Sequence, residues 1–324
     1  MLTALRCPLP VLVASLWLQS PAHGGAQERY AAVVSGILSA WNSSDVVCLG
    51  EDHGRQHDSD LRIALVRDPR FARTVNVVVV EMGNNFHQAL LDKFVLEGAS
   101  MSRDEIAPIW RDSSPGLEVW ESPIYEEFLR AIREVNLELP RGRRVRVIGG
   151  DTAVDWSRIR TSEDLVPLLK AGLRNRGANI RRIMAEQVLE PKLKALAIYG
   201  SLHCIKLGMG FPGELMDRYP GRIWSVSSLA GEPAARGAQL LGLGSQPAYV
   251  VTTGTKWENQ PAAGILPAFR GETIGQMTDA IAYLGPIPDT VVKADLTDLK
   301  LRYGTELARR RRLLDEADAL LRKK

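Results

Sequence analysis

Short apolar runs recur along the chain, and each ends in turn residues followed by polar chemistry. Val46–Leu49 leads into Gly50-Glu51-Asp52-His53, and Val75–Val80 into Glu81-Met82-Gly83. Val145–Ile148 leads into Gly149-Gly150-Asp151, and Leu196–Tyr199 into Gly200-Ser201-Leu202-His203. Ile223–Val226, Tyr249–Thr252 and Ile281–Leu284 are weaker runs of the same kind. These runs are rich in Val and Ile and do not alternate with polar residues, which marks strands buried on both faces. Between them, 59–66, 86–96, 124–135 and 180–189 carry apolar residues at helical spacing. Strands alternating with helices predict an α/β fold: a mostly parallel central sheet with helices on both faces.

The remaining segments are less regular. Residues 103–123 hold Trp110 and Trp120 around Ser113-Ser114-Pro115-Gly116 and are expected to form a lid-like insertion at one edge of the site. Residues 254–271 read as a long loop, either a flap or a surface excursion. From Thr305 to Lys324 the pattern is a C-terminal helix, with Leu307, Leu313, Leu314, Ala317, Leu320 and Leu321 on one face and Arg309–Arg312 near its start. Such a helix is expected to dock on its own domain with its charges in solvent.

Composition adds the cellular setting. Met1–Arg6 is a short basic start, Leu9–Leu18 an apolar run too short to span a bilayer, and Ser20, Ala22, Gly24 and Ala26 are small. Residues 1–26 are therefore expected to be a signal peptide cleaved after Ala26, with 27–324 a single domain, periplasmic or secreted. Cys7 lies too early for a lipoprotein cysteine. The 324 residues suffice for a large core, and a net charge of +3 without a basic stripe gives no reason to expect nucleic acid. Cys48 and Cys204 follow the expected leader; an exported chain can bond them, but two buried unbonded thiols are the favoured expectation.

Ligands of open α/β sheets sit beyond the carboxyl ends of the strands. Four strands here deliver Glu51 and His53, Glu81, Asp151 and His203 to that end. Two Gly-x-x-His motifs at strand ends, in a chain with only five histidines, strengthen the pattern. A carboxylate after four consecutive valines, Val77–Val80, is costly unless it is paired or used. Asp151 is either a site acid or a helix N-cap. His57 is a second-choice ligand, and His87 is expected to be structural.

The order Gly-Glu-x-His-Gly, a strand ending in Glu, then Gly-x-x-His resembles the erythromycin esterase, ChaN and Tiki superfamily. Further agreement lies in Phe86-His87-Gln88 through Leu91-Asp92-Lys93-Phe94, in Arg182-Ile183-Met184-Ala185 and in Phe211-Pro212-Gly213-Glu214-Leu215, so that the resemblance runs from about Val46 to Leu229. It implies several activities. The esterase branch implies hydrolysis with His53 as base, supported by Glu81 and His203. The Tiki branch implies a metal-dependent protease, and the ChaN branch haem binding in iron uptake. The chain lacks a lipobox and the usual Asp-Asn-Pro after the first histidine, both departures from the ChaN pattern.

The expected activity is ester or peptide hydrolysis of a small-molecule or peptide substrate by water activated at His53. In a metal form, Glu51, His53, Glu81 and His203, with Asp151 and His57 as second choices, would hold Zn²⁺, Mn²⁺ or Co²⁺ and lower the pKa of a bound water to about 7. In a metal-free form a carboxylate on the second nitrogen makes His53 competent. Haem or iron binding and an inactive scaffold are the alternatives. No Gly-x-Ser-x-Gly is present, so Ser201 is a poor candidate nucleophile.

Overall fold

A computed structural model describes residues 21–322 except 114–117, 174, 209, 267–268 and 287, without the side chains of 21–24, 232 and 233. Residues 1–20 of the expected leader lie outside the described residues, and Pro21–Arg29 is a helix.

All seven apolar runs are strands: β1 Val46–Glu51, β2 Val77–Asn84, β3 Arg146–Asp151, β4 Ala195–Gly200, β5 Ile223–Leu229, β6 Ala248–Val251 and β7 Ala280–Tyr283. They form one sheet in the order β3-β2-β4-β1-β5-β7-β6, parallel throughout except for β6, which closes one edge antiparallel to β7. β2, β4 and β1 are successive neighbours in this order, which brings the ends carrying Glu81, His203 and Glu51 side by side.

Alternate residues of these strands enter two separate cores. Val47, Leu49, Val78, Val80, Leu196 and Ile198 face the helices Ala31–Ala40, Gln56–Arg67 and Pro123–Glu138. Val46, Cys48, Val77, Val79, Ala195 and Ala197 face the opposite layer, built from residues 180–189 and the helix Phe211–Arg218. That double burial is why the runs do not alternate with polar residues. Val77–Val80 are all nearly or fully buried, each worth about 1.5–3 kcal/mol of transfer free energy.

β2 runs past its valines. Val80 pairs with Gly149 and Asn84 with Asp151, so four steps along β2 stand against two along β3. Glu81 sits in this bulge instead of beyond the strand, and bulges beside functional sites re-aim side chains in this way. The bulge depends on close backbone approach: a Cβ on Gly83 would lie 2.8 Å from the Cα of Gly149.

Other expectations change. The C-terminal helix begins earlier than expected, as Leu296–Arg322 among the described residues. It docks through Leu313 and Ala317 onto Val154, Trp156, Ile159, Leu165 and Leu173. Arg309 and Arg310 are engaged in ion pairs with Glu306, and Arg310 also with Asp112. The described residues of 254–271 form turns, among them Ala262–Gly264, and apolar side chains such as Trp257 and Ile265 pack beside the helix Gly231–Leu241 and β7. Cys48 and Cys204 are bonded, with Cα atoms 5.5 Å apart, which corrects the expectation of two free thiols. Both are buried all the same; a sequence separation of 156 residues hides that β1 and the turn after β4 are neighbours. No helix among the described residues is long and apolar enough to cross a membrane.

Candidate functional site

Glu51 closes β1 and is almost fully buried. Its Oε2 pairs with the guanidinium of Arg62, and its Oε1 accepts hydrogen bonds from the Tyr125 hydroxyl at 3.1 Å and from His53 Nδ1 at 3.1 Å. Burial pushes the Glu51 carboxyl up, yet Arg62, His53 and Tyr125 together hold it below the ordinary carboxylate value. Arg62 is itself buried, with the rings of Tyr125 and Phe128 at 4.9 and 5.3 Å from its guanidinium carbon. The Tyr125 oxygen also accepts the Gly54 N–H at 3.0 Å, so one side chain clasps both ends of the turn that carries His53.

His53 is the accessible member, with 29% of its side chain exposed. The edge contact with Trp120, 4.6 Å between ring centres, walls one side of the imidazole. A carboxylate on Nδ1 places the ring proton there and leaves Nε2 as the acceptor. Burial draws the His53 pKa down, but the bond to and charge of Glu51, with the charge of Glu81, raise it above 6.5 despite Arg176. Nε2 lies 3.8 Å from Glu81 Oε2, too far for a direct hydrogen bond, so both acceptors face the same side of the site.

Glu81 is the hub. Its Oε2 accepts the Gly200 N–H at 2.6 Å, and its Oε1 lies 2.7 Å from Arg176 and 3.5 Å from His203 Nε2. Asp151, buried at the end of β3, joins indirectly, with its Oδ1 3.8 Å from Arg176 Nε. It is no helix cap, because the next helix starts at Ser162. Beneath the His53 turn, Asp58 Oδ2 accepts the Asp52 N–H at 3.2 Å. Burial, with the like charges of Glu51 and Asp52, pushes the Asp58 carboxyl up to about 8, against the influence of Ser228.

The structure therefore brings together Glu51, His53, Glu81 and His203, with Asp151 one residue removed. His57 points elsewhere: its Nδ1 accepts from the Tyr30 hydroxyl at 2.7 Å and its Nε2 donates to the Pro288 carbonyl at 3.2 Å. His87 bonds Asp112 at 2.8 Å. Ser201 Oγ donates to the Glu51 carbonyl and to Asp52, both at 3.0 Å, and to no imidazole. Trp110 and Trp120 are both buried, and Arg111 grips Glu121 at 2.5 and 3.0 Å, so these described parts of the segment form a packed wall at the site's edge.

Arg62, Tyr125 and Arg176 escaped the sequence reading. An arginine inside the apolar stretch 61–66 was the available signal for Arg62. Arg176 carried none: the arginine in the motif-like segment, Arg182, is half-exposed and pairs with Glu186.

These cations decide how the acids are used. Glu51 is satisfied by Arg62, Tyr125 and His53, whereas Glu81 accepts the Gly200 N–H at Oε2 and its buried Oε1 has the Arg176 ion pair but no hydrogen bond. A divalent ion would have to displace a guanidinium from each. Among the described residues, no group of three or more His, Cys, Asp or Glu is arranged to hold a metal. Zn²⁺, Mn²⁺ or Co²⁺ at this donor set would therefore compete with Arg62 and Arg176 for the two carboxylates.

No protein-family model matches the chain, and no curated protein matches it in sequence. Among solved structures, a mutant of the erythromycin esterase EreC in its open conformation is 11% identical, over 77% of this chain and 91% of its own, with a TM-score of 0.53. ChaN of Campylobacter jejuni, with cofacial haem, is 14% identical over 78% of this chain and 90% of its own, with a TM-score of 0.43. A succinoglycan biosynthesis protein is 10% identical over 66% and 77%, with a TM-score of 0.43. The fold is the α/β fold of the erythromycin esterase structure.

Proposed function

We propose that this chain is an exported, metal-free hydrolase in which His53 takes a proton from water as that water attacks the carbonyl carbon of an ester. The observation that carries this reading is the imidazole of His53, bonded through Nδ1 to the buried Glu51 and open at Nε2 toward Glu81. Glu51 fixes the ring and stabilises the imidazolium formed when the proton arrives. Glu81, held by the Gly200 N–H and Arg176, accepts the second proton of that water beside Nε2, and His203 borders the same carboxylate. Once the tetrahedral intermediate has formed, His53 returns the proton to the leaving alkoxide. Peptide substrates meet the same geometry with a poorer leaving group. The buried Cys48–Cys204 bond supports an oxidising, exported setting.

The test uses the mature protein with any affinity tag removed and 4-nitrophenyl acetate and butyrate as probes. Hydrolysis is expected, falling about 10²–10⁴-fold in His53→Gln. Bound metal, measured by mass spectrometry, is expected to be far below one ion per chain. A stoichiometric divalent ion lost in His203→Ala would overturn the metal-free form. A Soret shift with added haemin, abolished by His203→Ala, would assign the site to haem binding. Neither hydrolysis nor ligand would leave an inactive scaffold.

A further inference from the structure

His203 stands on the four residues Ser201–Cys204, a single helical turn. Isolated turns do not sustain themselves, because nucleation fixes several dihedrals for one hydrogen bond. This one is pinned from outside at both ends. At its start, Ser201 Oγ donates to the Glu51 carbonyl and to Asp52. At its end, the Cys204 carbonyl accepts the Ser225 hydroxyl of β5 at 2.6 Å, and the Cys204 sulfur is bonded to Cys48. Cys48 lies in β1, opposite Ala197 of β4 and three residues before Glu51. The disulfide thus ties the residue next to His203 to the strand that delivers Glu51.

We propose that the Cys48–Cys204 disulfide is a positioning device for His203, holding its Nε2 at the 3.5 Å contact with Glu81. The remaining anchors are hydrogen bonds, each worth about 0.5–1.5 kcal/mol net, the burial of Cys204 and an edge contact of the His203 ring with Tyr199, none of which fixes the end of a single turn covalently. The sheet does not need the bond. β1 is laddered to β4 on one side and β5 on the other, and its residues are buried in both cores. Removing the bond therefore loosens the turn before it loosens the fold. The effect on turnover rests on the hydrolase reading; the effect on His203 does not.

The experiment uses the full mature chain and two variants, Cys48→Ala/Cys204→Ala and Cys48→Ala/Cys204→Val, the second refilling volume without restoring the bond. Intact mass before and after reduction establishes the disulfide in the parent; free thiols in protein secreted through an oxidising compartment would overturn the proposal. Ring signals of ¹³C-labelled histidine then report position. In both variants the His203 signal is expected to move toward that of free histidine, while His57 and His87, held by Tyr30, Pro288 and Asp112, stay in place. With 4-nitrophenyl acetate, kcat is expected to fall about 10- to 100-fold with KM unchanged, the signature of a displaced group. An unmoved His203 signal, histidines that all move together, or full recovery in the valine variant would each overturn the positioning role. A displaced His203 in a parent that never hydrolysed the probe would retain the positioning role and discard the hydrolase.

Discussion

His53 works as a base only if its ring stays where Glu51 and the backbone put it, and one position enforces that. A Cβ on Gly200 would lie 2.9 Å from both Cε1 and Nε2 of His53 and 3.4 Å from Glu81 Oε2. Gly200→Ala is therefore expected to push the imidazole off its line to Glu81, lowering kcat about 10²-fold while the melting temperature moves little. An unchanged rate would show that the ring adapts and that its exact placement is unimportant. Glu51 supplies the second control. Its bond and charge raise the His53 pKa, so the basic, active form accumulates only above the ordinary value of 6.5. In the parent, kcat/KM is expected to climb with pH through a midpoint above 6.5. In Glu51→Gln that midpoint should fall, because the carboxylate charge is gone while burial and Arg176 still favour neutral imidazole against Glu81. A midpoint that rises or stays in the variant would place the titrating base elsewhere.

At the scale of elements, the bulge in β2 does what a regular strand cannot. It turns Glu81, from within a strand whose side chains otherwise feed two cores, toward the carboxyl ends of β4 and β1. The approach of Gly83 to Gly149 keeps it compact, so Gly83→Ala is expected to cost about 1–3 kcal/mol and to disturb Glu81. Chemical denaturation measures the first effect and probe hydrolysis the second; a loss of stability with undiminished rate would separate the bulge from the chemistry. The bulge also marks where sequence reasoning stops. All seven strands were legible because double burial writes unbroken Val and Ile runs, and four acids and imidazoles were legible because strand ends are where such sheets place chemistry. The pairing of Val80 with Gly149 but Asn84 with Asp151 is a property of two strands together, and no local pattern encodes it. Arg176 and Tyr125 were illegible for the same reason: each looks like an ordinary helix residue until a distant carboxylate meets it. The disulfide likewise depended on a distance between β1 and the turn after β4, which are separated by 156 residues.

For the whole molecule, the charges buried around the His53 turn set the pH range in which the fold is most stable. Glu51 is held below its ordinary value of 4.5, so the native state gains from its ionisation. That gain is present above 4.5 and is lost as pH falls through the lower native value. Asp58 works in the opposite direction. It is buried against the Asp52 backbone, close to the charges of Glu51 and Asp52, and its carboxyl is raised from 3.8 to about 8. Between those values the native chain keeps a proton that the unfolded chain releases. The contribution of Asp58 to stability therefore declines as pH rises from about 4 to about 8 and is level beyond. Glu51 contributes to the acid limb, and Asp58, with the raised imidazole of His53, to the basic limb. Asp58→Asn keeps an oxygen to accept the Asp52 N–H and carries no proton to lose. It should melt close to the parent at pH 5 and several degrees above it at pH 9, a gap on the order of a few kcal/mol. Thermal denaturation of both proteins across that range measures the gap. A constant difference between the two curves would mean that Asp58 does not titrate with folding and that the basic limb belongs to another group.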